Sequence, residues 1–119
     1  MIYHITSRTE WGEARQRGEY RAPSLETEGF IHCSTSAQVM PVAEKFYLGQ
    51  SGLLLLVIDE ERLSSDLKWE PPSGDAPPPG VPKGDAFPHI YGPINLDAVI
   101  RAVDLESGSD GKYKLPIEL

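Results

Sequence analysis

The chain has a single cysteine, Cys33, among its 119 residues. One thiol cannot close an internal disulfide, so nothing points to an oxidising compartment. Cations are also scarce. Eleven lysines and arginines against 18 acidic residues leave a net charge of −7. A protein that tracks a nucleic-acid backbone needs clustered cations to displace counterions, and no nucleic-acid partner is expected. Long apolar runs are missing too. The longest, Leu53 to Ile58, is far short of the roughly 20 residues that span a bilayer. The start, Met1-Ile2-Tyr3-His4, has neither the basic nor the apolar region of a signal peptide. The expectation is a soluble, cytoplasmic protein with no membrane partner. Its acidic surface, with no evident apolar stripe, predicts a monomer.

What remains is enough for one domain over residues 1–119, since 39% hydrophobic content can fill a core. Ile2 to Ile5 reads as a strand. Ser7 and Glu10 then stand three apart, as a capping box requires, ahead of a helix over Thr9–Arg17 that Gly18 ends. Trp11, Ala14 and Arg15 are placed on its inner face. Residues 19–28 read as irregular, with a brief extended piece at Tyr20-Arg21-Ala22. Phe30 to Cys33 is a strand. Thr35 and Gln38 repeat the capping-box spacing before a helix over Ala37–Leu48, in which Val39, Val42, Ala43 and Phe46 recur with a period near 3.6. Leu53 to Ile58, apolar at every position, fits a central strand buried on both faces. Asp59 to Leu63 reads as a helical turn and Leu67 to Glu70 as a strand.

Pro71 to Gly84 holds six prolines and cannot be helix or central strand; its length predicts a lid or binding loop. Ala86 to Tyr91 and Leu96 to Leu105 resume extended structure, and 106–119 reads as a frayed tail. Two main helices and about six strands predict an α+β domain with a mixed, mostly antiparallel sheet.

All three histidines, His4, His32 and His89, fall on these strands beside aromatic or apolar residues. If the strands are neighbours, the rings line one cleft. Three chemistries compete. Zinc would draw on His4, His32, Cys33 and His89, but no pair has close ligand spacing, and adjacent His32 and Cys33 point to opposite faces, so no metal is expected. Nucleophilic catalysis by Cys33 or Ser34 lacks a nucleophile elbow. Ligand binding suits the set best. Neutral imidazole both donates and accepts, which matches ribose hydroxyls and carboxamides, and tyrosine faces stack on flat rings. His32 and Ser34 share a face, with Cys33 turned to the core.

Two heptads carry a resemblance. Gly29-Phe30-Ile31-His32-Cys33-Ser34-Thr35 and Phe87-Pro88-His89-Ile90-Tyr91-Gly92-Pro93, behind Ile2-Tyr3-His4-Ile5-Thr6, resemble a family of small bacterial proteins named domain of unknown function 952. More distantly the layout is similar to the ADP-ribosyltransferase superfold, which includes RNA 2′-phosphotransferases and poly(ADP-ribose) polymerases. That resemblance implies NAD, ADP-ribose or a related nucleotide as ligand. It implies that His4 and Thr6 meet the ribose or nicotinamide edge, that Ser34 lines the nicotinamide pocket, and that His32 lies toward the ribose or phosphate. His89 and Tyr91 stand where that superfold carries its third motif, which usually supplies an acid. None is present there; Glu70 is the candidate by elimination, and His32 and His89 are the other catalytic candidates. Arg8 and Arg21 could meet a phosphate. The missing acid leaves three readings open: a nucleotide-binding enzyme or its degenerate relative, a non-catalytic small-ligand module, and a domain whose histidines are structural.

Overall fold

The computed structural model describes residues 1–47, 49–72, 77–106 and 113. Among these residues eight strands and three helices run in the order β1 (Ile2–Ser7), α1 (Arg8–Arg17), β2 (Glu19–Tyr20), α2 (Pro23–Thr27), β3 (Ile31–His32), α3 (Val39–Phe46), β4 (Leu53–Ile58), β5 (Asp66–Glu70), β6 (Phe87–Tyr91), β7 (Ile94–Asn95) and β8 (Val99–Leu105), with 3₁₀ turns at Glu60–Arg62 and Leu96–Ala98.

The strands form three small sheets, ordered β1-β4-β8, β2-β7 and β3-β6-β5. Every pairing among the described residues is antiparallel, so the expected mixed sheet is corrected to antiparallel sheets. The connections explain it. No βαβ crossover joins neighbouring strands, and parallel pairing needs one. The two main helices are α1 and α3, and Pro23 opens a further short helix, α2, within the stretch read as irregular.

β4 lies between β1 and β8 and is buried along its whole length, as its uninterrupted apolar run predicts. The strand period of two then divides two cores. Ile2, Leu56 and Ile58 face one, with Ala14, Tyr20, Ile31 and Ile90. Tyr3, Ile5, Leu53, Leu55 and Val57 face the other, against Val39 and Ala43 of α3. Fully burying one such aliphatic side chain contributes roughly 1.5–3 kcal/mol.

Local rules set the ends. Ser7 Oγ accepts from the Glu10 amide at 3.0 Å, and Gly18 closes α1 with φ at 96°. Ala14 is buried, but Arg15 is exposed, which corrects its inward placement. At Thr35 half of the second box forms. The Thr35 N–H donates to Gln38 Oε1 at 3.0 Å, yet α3 starts only at Val39, with no side-chain cap. Gln38 is buried instead, and its Nε2 donates to the Ala86 carbonyl at 2.9 Å, tying the helix start to the entry of β6. Of the Pro71–Gly84 loop, residues 73–76 lie outside the described residues. So does most of the tail, although Tyr113 is buried and donates to the Gln50 carbonyl at 2.7 Å.

Candidate functional site

The segment 31–34 passes from one sheet to another. Ile31 and His32 pair with Ile90 and His89 of β6, and the Cys33 amide donates to the Pro88 carbonyl at 3.0 Å. One residue on, Ser34 exchanges both backbone bonds with Tyr3 of β1, at 2.9 and 2.8 Å. A short stretch thus holds β1 against the β3-β6-β5 sheet, and it brings His4, His32 and His89 together.

Alternation decides what each strand offers. On the β3-β6-β5 sheet, Ile31, Ile90 and Leu67 turn to the core. Phe30, His32, His89, Tyr91, Lys68 and Glu70 share the opposite face by the same period. There Phe30 stacks on His89 with centroids 4.2 Å apart, and His32 meets His89 edge-on at 5.5 Å. On β1, His4 and Thr6 turn toward Tyr20.

A cavity of about 570 Å³ opens where these elements meet. That volume suits a small organic ligand. His4, His32, His89 and Ser34 all line it. Tyr3, Tyr20, Tyr47 and Phe87 add aromatic wall, and Glu10 and Glu28 supply its carboxylates. Pro72 and Pro78 of the long loop also reach it. Thr6, Glu70 and Tyr91 do not line it; Thr6 bonds Tyr20 and Glu70 bonds His89, which do, and Tyr91 bonds Glu70. Arg8 and Arg21 are elsewhere: Arg8 pairs with Asp104, and Arg21 pairs with Glu19 at 2.5 Å. Neither lines the cavity, so both are surface arginines rather than contacts for a phosphate bound there.

Each histidine has its own setting. His4 is buried, with Nδ1 2.5 Å from the His32 carbonyl oxygen and Nε2 2.9 Å from the Tyr20 hydroxyl. A carbonyl can only accept, so Nδ1 carries the proton. Burial lowers the His4 pKa to about 4, so the ring is neutral and Nε2 accepts from Tyr20. The Tyr20 and Thr6 hydroxyl oxygens lie 2.9 Å apart and complete the network. Burial raises the Tyr20 pKa, which keeps its proton in place. His32 is half-exposed, with Nε2 2.9 Å from Glu28 Oε2. His89 is buried, and its Nδ1 lies 2.8 Å from Glu70 Oε1. The Tyr91 hydroxyl donates to the same oxygen at 2.5 Å. These two bonds, Tyr91 first, hold the Glu70 carboxyl below its usual range, and the bond to Glu70 raises the Tyr91 phenol.

Cys33 belongs to a core cluster and also lines the cavity, and burial pushes its thiol far up, away from the reactive thiolate. No group of three or more His, Cys, Asp or Glu among the described residues could hold a metal ion. No described helix is long and apolar enough to cross a membrane.

The model of the family described as a protein of unknown function (DUF952) matches residues 5–102. The chain belongs to the DUF952 family. No curated protein matches it. Among solved structures, this DUF952 chain is similar to protein CC0527 from Caulobacter crescentus, a structural-genomics target. Its crystal structure is 37% identical, with a TM-score of 0.81 over 96% of this chain and 93% of that one. The solution NMR structure of the same protein gives 37% identity and a TM-score of 0.77 over 99% and 95%.

Sequence reasoning missed Tyr20, which lies in a stretch read as irregular, and Glu28, although Glu28 and His32 stand four apart. The alternation that puts Phe30 and His32 on one face was legible but unused for Phe30.

Proposed function

We propose that this protein binds a small, planar, uncharged or cationic ligand in the three-histidine cavity. A nucleoside or a nicotinamide riboside has the right chemistry. The observation that carries the reading is the arrival of three imidazoles from three strands, with Ser34, at one cavity of about 570 Å³. Imidazole and hydroxyl groups suit ribose and carboxamide edges, and the tyrosine and phenylalanine wall suits a ring face. The charge of the wall narrows the class. Glu10 and Glu28 line it, and no lysine or arginine does among the described residues. A pyrophosphate would enter an acidic site without a guanidinium to meet it. The distant likeness to ADP-ribosyltransferases supports the nicotinamide-ribose half of NAD as the bound group. The ADP half has no counterpart in the wall.

Thermal denaturation with nicotinamide, nicotinamide riboside, adenosine, NAD and ADP-ribose tests this. A ligand at a hundred times its dissociation constant adds roughly 2.7 kcal/mol, or about 10 °C in a domain of this size. A shift with an uncharged or cationic compound and none with ADP-ribose is expected. A shift with ADP-ribose alone refutes the charge argument, and no shift with any of the five removes the reading.

A further inference from the structure

His89 has one ring nitrogen engaged and one free. Nδ1 is bonded to Glu70, which stands outside the cavity, while His89 itself lines the cavity. Since Glu70 is a carboxylate, Nδ1 donates and Nε2 carries the lone pair. Among the described residues Nε2 has no hydrogen-bond partner and no buried side-chain nitrogen or oxygen is left orphaned, so the free Nε2 of this cavity-lining ring is open to the cavity. The other two imidazoles are placed differently. His4 has both nitrogens engaged, and His32, whose Nε2 is held by the Glu28 carboxylate, is half-exposed where His89 is buried and fixed by its neighbours.

The surroundings fix the His89 ring. Phe30 covers one face, and the His32 ring packs against it edge-on. Tyr91 bonds the same Glu70 oxygen and so holds the carboxylate from a second side. Lys68, opposite His89 in the sheet, lies over the Tyr91 ring with Nζ 4.9 Å from its centroid. An imidazole held at Nδ1 by a carboxylate, with Nε2 free in a cleft, is the arrangement that makes histidine a base.

We propose that His89 is a catalytic base of the cavity, oriented by Glu70, and that it takes a proton from a hydroxyl of the bound ligand or from a water beside it. The step balances within the site. The O–H bond breaks, an Nε2–H bond forms, and the positive charge on the ring is offset by the Glu70 carboxylate. The proton returns to whatever group leaves. The proposal rests on the ligand reading above, since the base acts on what the cavity holds. Glu70 and Tyr91 are positioning residues.

Diethyl pyrocarbonate tests the free nitrogen directly. It acylates an unprotonated imidazole nitrogen, which attacks one carbonyl as ethyl carbonate leaves. The full chain is treated, and modified histidines are located by mass spectrometry. His89 should react through its free Nε2 at a rate set by Glu70, and His4, with both nitrogens engaged, should react last. Glu70→Gln should slow His89 by roughly tenfold, the size of one charge-assisted hydrogen bond, and Glu70→Asp should restore part of the rate. Nitrogen-15 NMR of the ring should show the Nδ1–H tautomer in the parent and a mixture in Glu70→Gln. A merely structural Glu70 would move neither. Modification of His32 with His89 inert, or an unchanged His89 rate and tautomer in Glu70→Gln, overturns the proposal. Protection of His89 by nicotinamide riboside or adenosine is read separately. Its absence alongside a Glu70-dependent rate counts against the ligand reading and leaves the dyad standing.

Discussion

His4 donates its Nδ1–H to the backbone carbonyl of His32 across 2.5 Å. The bond joins β1 to the segment that passes between sheets, and it is made by a ring that burial keeps neutral. Protonating His4 would take away the acceptor that Tyr20 uses and place a charge in the core. This one contact therefore connects the cavity to stability, and the sign follows from linkage.

The ordinary histidine value is 6.5, and that of folded His4 is about 4. Stability from this group is complete above pH 6.5 and is lost as pH falls toward about 4, because the unfolded chain takes up the proton first. The difference amounts to about 3 kcal/mol. Glu70, held below its usual range, adds a loss of the same direction further down, as pH falls through its folded value. Urea midpoints between pH 7.5 and 4 should show the His4 loss, and His4→Gln should flatten it. An equally steep loss in His4→Gln would contradict the assignment.

Tyr20→Phe removes the hydroxyl that bridges His4 and Thr6. The ring remains to fill the core, so the change isolates the hydrogen bonds. Leaving His4 Nε2 without its donor should cost roughly 1–3 kcal/mol in denaturant melts. A change within about 0.5 kcal/mol, the usual surface-substitution range, would mean that water replaces the bridge.

Gly92 follows β6 with φ at 158°, and a side chain there would press on Ser65, whose Cβ would lie 2.9 Å away. Ser65 cannot easily retreat, because its Oγ donates to the Pro93 carbonyl at 2.7 Å. Gly92→Ala should destabilise by about 2 kcal/mol or more, and Ser65→Gly in the same chain should recover part of it. Additive losses in the double variant would show that Ser65 is not the obstacle.

The thiol of Cys33 should resist iodoacetamide in the folded protein and react only on unfolding. Burial raises its pKa and removes its access. Mass spectrometry over a urea series checks this: labelling should follow the unfolding curve, and full labelling without urea would contradict the core placement.

Much of the fold was legible where one strong local rule acts. The uniform apolar run at Leu53–Ile58 could only be a central strand, and Ser7 with Gly18 bounded α1 from both ends. The heptads placed His32 and His89 on strands, and they prove to be cross-strand partners. The rest was hidden because it depends on register. Nothing local says that segment 31–34 leaves one sheet for another, or that Tyr20 reaches across to His4. Glu70 was reached only by elimination, since its bonds to His89 and Tyr91 exist only once β5 and β6 pair. Arg8 and Arg21 looked available for phosphate because their partners, Asp104 and Glu19, are set by the folded arrangement.

The central claim is that three histidines from three strands form one ligand site. Histidine-ring NMR during a titration with nicotinamide riboside or adenosine tests it most directly. The His4, His32 and His89 ring signals should move together along one binding curve, while Trp69, which does not line the cavity, stays in place. Signals of the three rings that stay fixed while other residues shift, or rings that follow different curves, would contradict it.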